Sequence, residues 1–148
     1  MNRIVLAAGL AAMLAAPLAG AYAMSSSSSA DVSIGDVKRE VDKENYDDAI
    51  MKAEMYLKDN PRSADAYNYI GYSHRQQGDY EAARKAYDRA LQIDPYHVGV
   101  HEYYGELHIK LGDLAKAETH LAELSRICGT CLEQRTLNEK IAQARAGG

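Results

Sequence analysis

The chain has no phenylalanine and no tryptophan, and only two cysteines and three prolines in its 148 residues. Each scarcity excludes something. Two cysteines supply two ligands where a structural zinc site needs four. There is no cluster of lysine or arginine, and the formal net charge is −4, so the chain is poorly suited to bind nucleic acid or an anionic membrane. No stretch alternates apolar and polar residues over five or more positions between turn signals, which leaves no credible strand. A Gly-rich phosphate loop, a His-Glu-x-x-His helix and a nucleophile elbow are all missing. With no catalytic constellation, neither an enzyme nor a cofactor is expected. Aromatic packing falls to the 11 tyrosines.

The N-terminus is read as a targeting segment. Arg3 gives a positive start, Ile4 to Leu18 is apolar, and Ala21-Tyr22-Ala23 is an A-x-A cleavage signal. The apolar core is short for a membrane span and no stop-transfer charges follow it. Residues 1–23 are therefore expected to be a Sec-type signal peptide, with a retained anchor as the alternative. Its removal takes Arg3 with it and leaves the remainder one unit more acidic. A Ser-rich flexible segment is expected at 24–32, built on the run Ser25 to Ser29. The expected location is periplasmic or secreted.

The rest of the chain is periodic. Tyr67, Ile70, Gly71, His74, Gly78, Tyr80, Ala83, Tyr87 and Pro95 form a pattern that largely returns 34 residues later as His101, Tyr104, Gly105, His108, Gly112, Leu114, Ala117, Leu121 and Gly129. Working backwards by the same step, Tyr46, Ala49, Leu57 and Pro61 match, while Ala53 stands in the place of Tyr87 and Val37 in the place of Gly71. A fixed period of this length marks stacked helix–turn–helix units, none of which can bury its apolar face alone. Gly71 and Gly105 fall mid-helix, where glycine is about 1 kcal/mol worse than alanine. Close approach of a neighbour is the simplest compensation, and Ala83 and Ala117 serve the same end on the second helix of each pair. Gly78-Asp79 and Gly112-Asp113 read as a helix C-terminus followed by the cap of the next helix. Predicted helices are 33–43, 46–58, 64–76, 80–92, 98–110, 114–127 and 133–145.

The pattern Tyr67-x2-Ile70-Gly71-x2-His74…Ala83-x3-Tyr87…Pro95 resembles the tetratricopeptide repeat (TPR) family. The resemblance covers residues 33–129, as units of about 33–61, 64–97 and 98–129, with residues 130–148 as a C-terminal capping helix. It implies an all-α, right-handed α-solenoid of about three helix–turn–helix units. It also implies a concave groove, lined by the first helix of each pair, that holds a partner peptide. Carried over by position, the groove residues are Asn68, Tyr72, Arg75 and Gln76, followed by Glu102, Glu106, Ile109 and Lys110. The acidic pair Glu102 and Glu106 argues against a carboxylate ligand and for a mixed or basic partner segment.

The cysteines form Cys128-Gly-Thr-Cys131, at the turn between the last unit and the capping helix. In an exported protein a structural disulfide is one reading. A thiol-redox centre is another, opposed by Cys128 lying at a helix C-terminus, where the dipole disfavours a thiolate. Metal handling is a third. His97 and His101 have the i, i+4 spacing of a weak metal pair, but His101 stands in the repeat position of Tyr67, which suits packing. His74 and His108 are repeat equivalents, which points to a shared structural job. The expected function is a non-catalytic protein–protein interaction scaffold of the bacterial cell envelope. A thiol/redox or metal-handling periplasmic factor using Cys128 and Cys131 is the alternative. A homodimer is open, because short arrays pair edge to edge.

Overall fold

A computed structural model describes residues 32–147, so the signal segment and most of the serine-rich segment lie outside the described residues. Within them stand seven helices: α1 (Ile34–Asp42), α2 (Tyr46–Asp59), α3 (Ala64–Gln77), α4 (Tyr80–Ile93), α5 (Val98–Lys110), α6 (Leu114–Cys128) and α7 (Leu132–Gly147). No strand occurs among the described residues. All seven predicted helices form, with ends displaced by two residues at most.

The sequence sets these ends through caps. Ser33 and Asp36 form a reciprocal capping box at α1. Ser63, Asp79 and Asp113 accept from the Ala66, Ala82 and Lys116 amides at 3.2, 3.0 and 3.2 Å. Gly78 and Gly112 take left-handed φ values of 83° and 75°, which lets the Asp79 and Asp113 amides reach back to the His74 and His108 carbonyls at 2.9 and 2.8 Å. The two turns are the same structure one period apart. His97 caps α5 instead of an Asp or Ser, its Nδ1 accepting from the Val100 amide at 3.2 Å.

Successive helices pack as hairpins, and the odd-numbered helices also touch one another: α1 with α3, α3 with α5, and α5 with α7. No even-numbered pair touches among the described residues. The layer of odd helices is therefore the tighter one, and the stack curves with that layer inside.

Three apolar clusters run along the stack, each reaching from one hairpin into the first helix of the next. In the middle one, Gly71 on α3 faces Tyr87 on α4, whose ring is fully buried. A Cβ at Gly71 would meet three carbons of that ring at 2.5, 2.6 and 2.9 Å. The first cluster holds Val37 and Ala53, the residues one period before Gly71 and Tyr87. The large and small partners have exchanged helices, which keeps the shared volume filled. At Gly105 the three atoms nearest to an added Cβ all belong to α7 and none to α6. A Cβ there would meet Leu137 of α7 at 2.5 Å.

That contact defines α7. Its first residue, Leu132, follows Val98 by the same 34 residues that separate Val98 from Ala64. The terminal helix thus occupies the place of the first helix of a further unit, on the inner layer. Leu137 and Ile141 are buried against α5 and α6, while Arg135, Asn138, Glu139 and Arg145 face solvent. A polar outer face on the last helix suits the end of a stacked array.

Candidate functional site: the concave face

The sequence-predicted groove residues divide into two groups. Asn68, Arg75 and Glu106 are buried, at 5, 7 and 7% exposure. Tyr72, Glu102 and Ile109 are half-buried, and Gln76 and Lys110 are exposed. Asn68 lies beside Gly99 of α5, where its Nδ2 would be 3.2 Å from an added Cβ. Arg75 on α3 pairs with Glu106 on α5, Nη1 to Oε2 at 2.9 Å. The second oxygen of Glu106 accepts from Lys140 on α7. One carboxylate thus joins three successive inner helices. Lys140 follows Glu106, and Glu106 follows Tyr72, by one period each.

Arg75 also lies against two tyrosines, 5.2 Å from the Tyr72 ring centroid and 5.7 Å from that of Tyr103. Those rings sit 4.9 Å apart, and Tyr46 of α2 continues the row 6.2 Å from Tyr72. Burial raises the Tyr103 hydroxyl to a pKa of about 12, helped by the nearby carboxylates of Glu102 and Glu106.

Beside this row a cavity of about 540 Å³ opens between the C-terminal ends of α3, α5 and α7. Arg75, Gln76, Glu106, Ile109 and Lys110 line it together with Lys140, Gln143 and Ala144. Five of the eight predicted groove residues therefore meet in one cavity. Its α7 wall was not foreseen, although continuing the period from Glu106 to position 140 would have found it. Glu102 stands toward the other end of α5. Its carboxyl is raised to a pKa of about 7, first by burial and then by Glu106 and Glu133, against the pull of Lys140 and Arg75.

The sulfurs of Cys128 and Cys131 lie 2.06 Å apart in the α6–α7 turn, and Cys128 is the last residue of α6. Among the described residues no group of three or more His, Cys, Asp or Glu side chains is placed to hold a metal ion.

The histidines do not meet as their spacing suggested. His97 caps α5 and sets its Nε2 3.0 Å from Asp65, whereas His101 turns the other way. The His101 Nε2–H donates to the Pro95 carbonyl at 3.0 Å, and its Nδ1 lies 3.0 Å from Nδ1 of His120. With both rings neutral, His120 donates to His101 across that second contact. Tyr104 and His108 stack at 4.8 Å, and His120 lies 4.7 Å from Tyr104. His74 and His108 share their backbone role, but the His74 side chain is half-exposed near Asp79 whereas that of His108 is buried.

This ring cluster carries a pH prediction. Burial, aided by His101 and His108, pushes His120 down to a pKa of about 4, and burial lowers His108 as well. Between that value and the ordinary one near 6.5, the unfolded chain binds protons that the folded chain refuses. His120 therefore contributes stability that is complete above about pH 6.5 and is lost as the pH drops toward 4, by up to about 3 kcal/mol. Glu102, raised to about 7, acts the opposite way over the same range, so the effect is read as a difference: by urea unfolding, wild type should lose stability relative to His120→Phe between pH 7 and 4.5.

Comparison with known proteins fits the geometry. Two Tetratricopeptide repeat profiles match the chain, one over residues 37–98 and the other over residues 74–127. The chain belongs to the tetratricopeptide repeat family. No curated protein matches its sequence. Among solved structures it is similar to the Yersinia enterocolitica type III secretion translocator chaperone SycD, at TM-score 0.65 and 16% identity, over 77% of this chain and 86% of that one. It is also similar to a tetratricopeptide repeat protein from Parabacteroides merdae, at TM-score 0.64 and 15% identity, over 77% of this chain. There it spans only 44% of the longer molecule. At these identities the likeness is one of fold: an all-α TPR solenoid.

Proposed function

We propose that this TPR protein is a non-catalytic scaffold of the bacterial cell envelope that holds a partner protein or peptide on its concave face. The observation that carries the reading is the layer of odd-numbered helices. It brings a tyrosine row, a mixed-charge cavity and the open side chains of Gln76 and Lys110 to one curved surface. Such a surface offers area and a few anchoring polar groups, which is what peptide recognition needs. A protein-binding role is in keeping with the TPR family and with SycD, a translocator chaperone. SycD crystallised as a dimer, which likewise makes a second copy of this chain a candidate partner.

Arg3, the apolar stretch 4–18 and Ala21–Ala23 support export to the periplasm or beyond as part of this reading. In that oxidising setting Cys128 and Cys131 form a structural bond that fixes the α6–α7 turn, and with it the α7 wall of the cavity. So short a loop contributes less than the ~3 kcal/mol of a 15-residue one.

Arg75 is buried in an ion pair, so replacing it would damage the fold. A photo-crosslinking amino acid placed at Gln76 or Lys110 in intact cells is expected to capture the same protein from both positions. From Lys85, exposed on the outer helix α4, it should not. Capture from Lys85 alone, or from none of the three, would remove the concave face as the binding surface.

A further inference from the structure

The charges around Glu102 do not balance. Through space it feels Arg75 of α3, Lys140 and Glu133 of α7, and Glu106 one turn further along its own helix. Arg75 and Lys140 are both spent on Glu106, one on each oxygen. Two cations therefore face three carboxylates and Glu106 takes both, which leaves Glu102 and Glu133 without a hydrogen bond or ion pair among the described residues; on Glu102 only burial and through-space charge act. A half-buried carboxylate in this position costs the fold free energy whenever it is ionised. The remaining unpaired acids on the inner layer, Glu133 and Glu139, both lie on α7. Tyr103, the next residue, feels the charge of Glu102; its ring sits 4.9 Å from that of Tyr72, and Arg75 lies over both. Those two rings already accept a cation.

We propose that Glu102 is the docking point for one lysine or arginine side chain of an extended partner segment laid across the concave face, with Tyr103 and Tyr72 flanking its aliphatic stem. This inference rests on the concave face being the binding surface, and it adds the chemistry of the occupant. The incoming cation supplies the one charge the five-group cluster lacks, in a partly desolvated setting where the pairing is stronger than on an open surface. Because Glu102 is about half protonated near neutral pH, docking a cation displaces its proton. Affinity should therefore rise with pH from 6 to 8, and binding at pH 7 should release roughly half a proton.

The test uses the purified full chain and its Glu102→Gln variant, each panned against displayed random dodecapeptides. Glutamine keeps the shape and removes the charge, and it relieves the burial cost, so the variant should melt no lower than wild type. The expected result is enrichment of lysine or arginine at one position for wild type. Glu102→Gln should lose that enrichment and bind the selected peptides at least tenfold more weakly, without proton release in calorimetry. Peptides recovered with no basic preference, or enriched in Asp and Glu, would overturn the role of Glu102 while leaving the groove as a binding surface. Recovery of no peptide by either protein would overturn both.

Discussion

Glu106→Gln is expected to lower the stability of the folded chain by about 3 kcal/mol, the usual scale for removing one partner of a buried ion pair. Glu106 and Arg75 are each 7% exposed, so the guanidinium cannot swing into water when its partner becomes neutral. Lys140 differs, because 43% of its side chain is exposed and it can return to solvent. The loss thus falls mainly on the α3–α5 contact, with the α5–α7 contact weakened second. Urea denaturation should show the drop in midpoint, and hydrogen exchange should show α7 opening earlier than in wild type. Pairing the change with Arg75→Met removes the orphaned charge and should recover most of the loss. A single-variant effect below about 1 kcal/mol would mean that water already reaches the pair.

Gly71→Ala should destabilise by about 2 kcal/mol even though alanine is the better helix former by about 1 kcal/mol. The added Cβ would sit 2.5 Å from a carbon of the Tyr87 ring, and that ring is fully enclosed. Either the ring or the α3–α4 spacing must shift. The size of the penalty should depend on the opposing residue. In a Tyr87→Leu background the alanine should cost much less, because a smaller, bendable side chain leaves room for it. The two changes would then be non-additive by 1 kcal/mol or more in a thermodynamic cycle, as is common for residues in direct contact. Simple additivity would show that the glycine is there for another reason. Tyr87→Leu has a precedent within the chain, since Leu121 holds that position one period later.

The elements with strong local punctuation were legible from the sequence. Gly78-Asp79 and Gly112-Asp113 give a left-handed residue and a cap in consecutive positions, and both helix boundaries fall where those residues put them. The mid-helix glycines pointed correctly to close neighbours. What the period could not say was which neighbour. Gly105 is filled from α7 rather than from its own hairpin, and this depends on how far the array continues, not on residues near position 105. The first unit looked degenerate because Val37 and Ala53 each break the pattern. Only side by side do the two departures read as one exchange of volumes.

The inner face was legible by position and less so by character. Asn68, Arg75 and Glu106 lie on inner-layer helices, yet all three are buried, two of them in an ion pair with each other across a helix interface. A list of charges along one helix cannot reveal that the next helix has already consumed them. The histidine cluster was hidden for a related reason. His101 and His120 are 19 residues apart and meet only because α5 and α6 fold back on each other.

The exchange between Val37–Ala53 and Gly71–Tyr87 has a consequence for the chain's history and for its engineering. Units of a solenoid are often treated as bricks that can be duplicated, deleted or shuffled. Here each brick has its own mortise: one carries its bulk on the inner helix, the next on the outer, and the third borrows it from its successor. Grafting the inner helix of one unit onto the outer helix of another would bring together two plugs or two holes. Any lengthening of this array must copy whole hairpins, and a hairpin inserted ahead of α7 must itself end in a residue that can seat where Leu137 does now.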